Sequence, residues 1–293
     1  MEHKVEIRHA SKSFNGQAVV GDISFDIAQG EVFGLIGPNG AGKTTIIRML
    51  LDIIRADSGV IRILGSSLSD GIKDRIGYLP EERGMYRRLS VIDTLVYLGA
   101  LKNNPDKKRA LELLEMMGLS LHKDKKIGEL SKGMQQKVQI IAAILHDPEF
   151  IIFDEPFSGL DPVNMKLVKD LITGLSKEGK TILISTHMMD QVERMCDRIF
   201  MINRGSGVLY GSVSEIKSRY GKNTIFLGFE GELESIKGVR KINLSGNFAE
   251  LILEAGTDPQ DVLKDVVEKV RVNRFEVSAP SLNEIFIQVV EGT

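Results

Sequence analysis

A single cysteine, Cys196, stands in 293 residues. One cysteine excludes an internal disulfide and suits a reducing compartment. Its expected role is that of a small core hydrophobe. No run is both long enough and uncharged enough to span a bilayer. Met1-Glu2-His3-Lys4-Val5-Glu6 holds no apolar targeting stretch. The five histidines are scattered and show no metal-ligand spacing. Charge of one sign is lacking too: a net charge of −2 gives no electrostatic case for a nucleic-acid or lipid surface. Tryptophan is absent, which decides nothing.

What remains is ordinary globular material, 42% hydrophobic and 27% charged, long enough for one large domain or two smaller ones. Its most informative stretch is Gly37-Pro38-Asn39-Gly40-Ala41-Gly42-Lys43-Thr44. This is the phosphate-binding pattern G-x-x-x-x-G-K-[ST], set between an apolar strand (31–36) and a helix continuing from Thr45. Gly37, Gly40 and Gly42 let the backbone turn tightly with no Cβ in the way of phosphates. The backbone N–H groups and the following helix N-terminus attract the anion. Lys43 adds a point charge, and Thr44 offers a hydroxyl to Mg²⁺.

Along the chain, residues 5–14 are expected to form an edge strand and 18–27 a second strand after the Asn15-Gly16 turn. Short strands follow at 58–65 and 76–80, the latter ending in charged Glu81-Glu82. Residues 89–145 read as helices, with Ser90 as one cap and Gly118 ending another helix. Residues 150–153 and 181–185 are apolar strands with a helix (166–178) between them, so a parallel crossover is expected. Strands 198–203 and 207–211 look like a closing hairpin. Gly221 marks the expected boundary. Beyond it lie strands at 225–229, 249–253 and 274–277, a helix opened by Asp258-Pro259, and a last helix opened by the capping box Ser281-Leu282-Asn283-Glu284. That makes a small α+β unit without a catalytic constellation.

Two further patterns carry chemistry. Four apolar residues, 150–153, run into Asp154-Glu155. A carboxylate at a strand end can hold Mg²⁺ through water, and a second beside it can act as general base toward an attacking water. Leu130-Ser131-Lys132-Gly133 precedes a long apolar helix, with Ser131 at its natural N-cap. Its hydroxyl, the Gly133 N–H and the helix dipole would make an anion site.

In this order, P-loop, then Leu-Ser-x-Gly, then paired acids, residues 5–211 resemble the ATP-binding cassette (ABC) family. The resemblance implies an α/β P-loop cassette, with a mixed-sheet core and a helical subdomain at about 89–145. It places the cassette at 1–220 and an accessory α+β domain at 221–293. ATP and Mg²⁺ are implied as ligands. Nucleotide-binding residues would be Phe14, stacking on adenine, with Gly37, Pro38, Asn39, Gly40, Ala41, Gly42, Lys43, Thr44 and Thr45. Ser131 and Gly133 would close over the γ-phosphate of ATP held by a second cassette, identical or paralogous. Thr44, Asp154 and Glu81 would serve the metal, Glu155 would be the general base, and His187 of Ser185-Thr186-His187 would contact the γ-phosphate. Ser158-Gly159-Leu160-Asp161 resembles the D-loop.

Two departures stand out. Lys132 and Met134 replace the Gly and Gln of the fullest signature, and Glu81 stands where the family usually has glutamine. The tail, chiefly Pro280-Ser281-Leu282-Asn283-Glu284-Ile285-Phe286, resembles the accessory domain of bacterial sodium-extrusion and drug exporters. The resemblance therefore implies an ATP-hydrolysing exporter subunit on the cytoplasmic face of the membrane, joined to integral membrane permease subunits, with no nucleic-acid partner. The rival is a soluble ABC ATPase acting on ribosome or DNA. Against it stand the single P-loop, the missing heptad insertion and the lone cysteine.

Overall fold

The computed structural model describes residues 3–67, 69–82, 84–220, 224–254, 256–278 and 280–291. Its contacts divide the chain into two compact units, Met1–Gly211 and Ser212–Thr293. The second unit begins nine residues before the expected boundary at Gly221, which lies outside the described residues.

The first unit opens with the hairpin β1 (His3–Phe14) and β2 (Gln17–Ala28). Asn15 and Gly16 both have positive φ, at 50° and 79°, the backbone of a two-residue hairpin turn that matches strand twist. Next come β3 (Val32–Ile36), α1 (Lys43–Leu50), β4 (Ser58–Ile63), α2 (Asp70–Lys73) and β5 (Ile76–Leu79). The helices α3 (Val91–Ala100), α4 (Lys107–Met116) and α5 (Lys132–Ile144) pack on one another. After them run β6 (Phe150–Asp154), α6 (Pro162–Lys177), β7 (Thr181–Thr186), α7 (Met189–Met195), β8 (Arg198–Asn203) and β9 (Ser206–Ser212).

Two sheets result. A three-stranded antiparallel sheet has the order β2-β1-β4, so β1 is its middle strand and not the edge expected from its weak alternation. The other sheet has the order β5-β6-β7-β3-β8-β9, with its first five strands parallel. Every residue of β3, β6 and β7 is buried, which explains why they read as continuous apolar runs. Phe25 of β2 stacks on Phe33 of β3, ring centroids 5.3 Å apart, and meets Phe200 of β8 at 4.8 Å. These rings tie the two sheets through one core. Removing Phe33 would cost about 3–5 kcal/mol. Cys196 is buried beside β3, and a Cβ on Gly34 would come within 3.2 Å of its Sγ. Burial pushes its thiol pKa up, so it is the inert core residue expected.

Caps follow the sequence closely. Ser90 accepts from the Asp93 N–H, Asp161 from Val163 and Asn164, and Ser131 from Met134. Helix α6 starts at Pro162, earlier than expected, because Asp161-Pro162 is itself a cap and first-turn pair.

The second unit contains α8 (Val213–Arg219), β10 (Thr224–Glu230), β11 (Val239–Ser245), β12 (Phe248–Leu253), α9 (Pro259–Lys269), β13 (Arg271–Ser278) and α10 (Leu282–Glu291). Its antiparallel sheet has the order β11-β12-β10-β13. Ile225, Leu227, Leu251, Val262 and Val266 form its core. Ser281 and Glu284 make the expected reciprocal cap: Glu284 N–H donates to Ser281 Oγ, and Ser281 N–H to the Glu284 carboxylate.

Candidate nucleotide-binding and catalytic site

The parallel order β5-β6-β7-β3 brings four sequence segments to one sheet edge. Glu81 follows β5, Asp154-Glu155 ends β6, Thr186-His187 ends β7, and the P-loop follows β3. Cα pairing sets Asp154 level with Ser185, and Thr186 level with Ile36. The carboxyl ends of parallel strands are where open α/β sheets hold ligands. A cleft of about 400 Å³ lies there, lined by Val19, Asn39, Gly40, Gly42, Lys43, Thr44, Thr45, Glu81, Asp154 and Glu155.

Backbone geometry explains two of the glycines. A Cβ on Gly37 would sit 2.2 Å from the Ile202 carbonyl. Gly42 caps α1 with φ 114°, and a Cβ there would meet the Val19 carbonyl at 3.0 Å. Val19 comes so close because it is the extra residue of a bulge: Lys12 pairs with Val20 and Ser13 with Ala18, leaving Val19 unpaired. Bulges beside active sites re-aim a residue in this way.

The Lys43 ammonium donates to Gly37 O at 2.7 Å and Pro38 O at 3.2 Å. Burial lowers its pKa, while Glu155, Asp154 and Glu81 pull the other way. Asp154 is 1% exposed, and burial, helped by Glu81 and Glu155, pushes its pKa up to about 6 against the opposing pull of Ser185 and Lys43. Its Oδ2 is buried with no hydrogen-bond partner among the described residues.

Glu155 is held more firmly than its neighbour. It adopts φ 49°, a region costly for a non-glycine residue and concentrated at functional sites. Its N–H donates to Ser185 O at 2.8 Å. Thr186 Oγ1 donates to its Oε2 at 2.9 Å, and the His187 N–H donates to its Oε1 at 3.1 Å. The His187 ring Nδ1 lies 2.8 Å from the same Oε1. The His187 side chain is 53% exposed and Glu155 only 8%, so the pair joins a buried carboxylate to a ring at the surface.

Of the expected residues, Asn39, Gly40, Gly42, Lys43, Thr44, Thr45, Glu81, Asp154 and Glu155 therefore share one cleft, with Gly37, Pro38 and Ala41 in its loop. His187 reaches it through Glu155. Phe14, Ser131 and Gly133 do not line it: Phe14 ends β1 and is 44% exposed, while exposed Ser131 and half-buried Gly133 lie at the start of α5. Sequence reasoning passed over Thr186 and Val19. Thr186 stands inside the quoted Ser185-Thr186-His187, but nothing in a threonine announces which carboxylate it will meet.

Two family models match the chain, "ABC transporter" over residues 20–158 and "ATP-binding protein DrrA1-3-like, C-terminal domain" over residues 211–290. The uncharacterized ABC transporter ATP-binding protein YhaQ of Bacillus subtilis (strain 168) is 38% identical over 290 residues, 97% of each chain. The chain belongs to the ATP-binding proteins of ABC transporters. Nod factor export ATP-binding protein I of Rhizobium sp. (strain N33) is 33% identical over 298 residues, 97% of this chain and 96% of that one. Among solved structures, an ATP-binding subunit of an ABC transporter has a TM-score of 0.69 at 31% identity, covering 74% of this chain and 93% of its own. The cleft is accordingly that of an ABC cassette, a family that binds ATP. No helix among the described residues is long and apolar enough to cross a membrane.

Proposed function

We propose that this ABC protein hydrolyses Mg²⁺–ATP between two facing cassettes and drives export through separate membrane subunits. The observation that carries the proposal is the meeting of Lys43, Thr44, Asp154 and Glu155 in one cleft at the carboxyl ends of parallel strands.

In this reading the P-loop N–H groups, the α1 N-terminus and Lys43 bind the β- and γ-phosphates. A divalent cation suits the donor set: the partnerless Asp154 Oδ2 is a buried acceptor beside Thr44 and Glu81. Thr44, Asp154 and Glu81 would hold Mg²⁺, which when bound neutralises charge on the phosphates. Glu155 accepts the proton of the attacking water, and Thr186 and His187 aim its carboxylate. Phe14 stacks on adenine. Ser131 and Gly133 present their anion site to ATP held by the second cassette, identical or paralogous. The movement is passed to integral membrane permease subunits through residues 81–86 and the helices of 89–145, at the cytoplasmic face of the membrane.

Export is supported by the DrrA1-3-like tail and by the likeness to the Rhizobium Nod factor export protein. Against the rival, a soluble ABC ATPase on ribosome or DNA, stand the single P-loop, the missing heptad insertion and the lone cysteine. Fractionation separates the two. The protein is expected in washed membranes, co-purifying with an integral membrane protein and showing ATPase activity that EDTA abolishes. Recovery with ribosomes or DNA instead would overturn the transport reading.

A further inference from the structure

The last residues of β1 lose a partner strand on one side. The β1–β4 ladder ends where Ser11 pairs with Ser58. On the other side the β1–β2 ladder runs on through Ser13 with Ala18 and Phe14 with Gln17. The segment that carries Phe14 would therefore hang by one edge, with the Ser13 N–H open on the other.

Asp57 takes the place of the missing strand. Its N–H donates to Ser11 O at 2.8 Å. Its Oδ2 accepts from the Ser13 N–H at 2.7 Å, and its Oδ1 from Lys12 Nζ at 2.5 Å. One carboxylate thus holds both residues that precede Phe14. Lys12 and Phe14, two apart on a strand, project to the same face, and Lys12 Nζ stands 5.5 Å from the Phe14 ring centroid, within cation–π range. The Lys12 ammonium and the Ser13 N–H also hold the Asp57 carboxyl below the usual carboxylate range. Across the hairpin, bulged Val19 lines the phosphate cleft, so the strand that ends in Phe14 is paired to the wall of the nucleotide site.

We propose that Asp57 is a positioning residue for nucleotide binding: by gripping the Ser13 N–H and Lys12 it fixes the Phe14 ring in the orientation that receives the adenine base. The inference rests on Phe14 being the adenine platform. The ion pair is open to solvent on the Asp57 side, with side-chain exposures of 16% for Lys12 and 46% for Asp57, and pairs reached by solvent add little to global stability. What Asp57 contributes is local order, sparing ATP the entropy of fixing a loose strand end.

The test is calorimetric titration of the full chain with ATP and, separately, with inorganic tripolyphosphate, which has no base to stack. Phe14→Ala is expected to weaken ATP binding about tenfold or more and leave tripolyphosphate unchanged. Asp57→Ala should weaken ATP about threefold to tenfold with tripolyphosphate again unchanged. Asp57→Asn should recover part of the loss, because its amide oxygen still accepts from Ser13. Lys12→Met leaves the Ser13 bond in place and should show the same selective loss on a smaller scale, so the test does not depend on the alanine variant folding. Selective loss in Phe14→Ala with wild-type ATP affinity in the Asp57 and Lys12 variants would overturn the role of Asp57. Equal weakening of both probes would also overturn it, by showing a general effect on the phosphate loop. Unchanged ATP binding in Phe14→Ala would instead overturn the reading of Phe14.

Discussion

Glu155→Gln should nearly abolish turnover without disturbing the fold or ATP binding, and the contacts of Glu155 say why. Its Oε1 accepts from the His187 N–H and faces His187 Nδ1, while its Oε2 accepts from Thr186 Oγ1. A glutamine placed with its carbonyl oxygen toward His187 keeps both of those contacts. Its NH₂ then faces Thr186, whose hydroxyl can turn and accept, since a hydroxyl has two lone pairs. One of them is already used by the Met188 N–H at 3.2 Å, which leaves one free. In that turn the buried Thr186 hydroxyl gives up its own acceptor, so the substitution should cost about 1–3 kcal/mol in folding free energy. The substitution removes the basic charge, however, and loss of a general base costs about 10²- to 10⁴-fold in rate. Lys43 and Thr44 are untouched, so ATP should bind as in the wild type. With hydrolysis blocked, ATP should stay between Lys43 of one subunit and Ser131 of another. Light scattering after size exclusion should show a dimer with ATP and a monomer without it. Adding Ser131→Arg, which puts a bulky cation into that site, should dissolve the dimer. Wild-type turnover in Glu155→Gln would refute the general-base assignment. A dimer indifferent to ATP and to Ser131→Arg would refute the composite site.

Thr186→Val keeps the shape of a fully buried residue but leaves Glu155 Oε2 without its donor; kcat should fall about tenfold with KM for ATP unchanged, and Thr186→Ser should restore it. Glu81→Gln removes a negative charge from the cleft, so the Mg²⁺ concentration for half-maximal ATPase activity should rise several-fold while metal-free ATP affinity stays nearly constant; an unaltered Mg²⁺ titration would reject a metal role for Glu81. Asp26 gives a pH prediction: burial pushes its pKa up, but the Tyr210 hydroxyl and the Arg198 guanidinium together hold it below 3.8. A lowered carboxylate pKa stabilises the fold above the unfolded value and loses that contribution as pH falls through the folded one. In urea unfolding, Asp26→Asn should therefore cost about 1–3 kcal/mol at neutral pH, and the gap to wild type should close below pH 3.8; a gap that persists in strong acid would refute the linkage.

The fold was legible wherever one physical signal dominated. Strands buried on both faces are runs of apolar residues, and β3, β6 and β7 were read at nearly their true limits. Caps are local chemistry, so Ser90, Ser131, Asp258 and Ser281 were read correctly too. The misses share a cause. Strand β11, Val-Arg-Lys-Ile-Asn-Leu-Ser from Val239, is an edge strand exposed at five of seven positions; charged residues protect such edges and erase the apolar alternation. Strand β1 is also polar in its second half, yet it lies in the middle of its sheet. Its polar residues are served by partners far along the chain, as when Asp57 meets Lys12 and Ser13, and no local window contains them. Helix α8 was likewise absorbed into the first domain, because a seven-residue helix says nothing about which unit it contacts.

The site divides along the same line. A phosphate loop is contiguous, since its glycines, lysine and threonine act through one stretch of backbone, and the whole stretch could be read at once. The acids at the end of β6 could be read because a strand end next to a phosphate loop has few other uses for two carboxylates. Aim is a different property from identity. Glu155 is recognisable as an acid, but its φ of 49° and its bonds from Thr186 and His187 exist only because β7 lies beside β6 with Asp154 level with Ser185. The upward shift of the Asp154 pKa to about 6 is also not a property of the dipeptide Asp-Glu. It arises chiefly from burial, with Glu81 and Glu155 adding to it, and Glu81 reaches the cleft only through the pairing of β5 with β6. Parallel pairing of strands distant in sequence thus turns four separately readable segments into one electrostatic unit, and it is why a single charge change at Glu81 is expected to be felt by a cation held at Asp154.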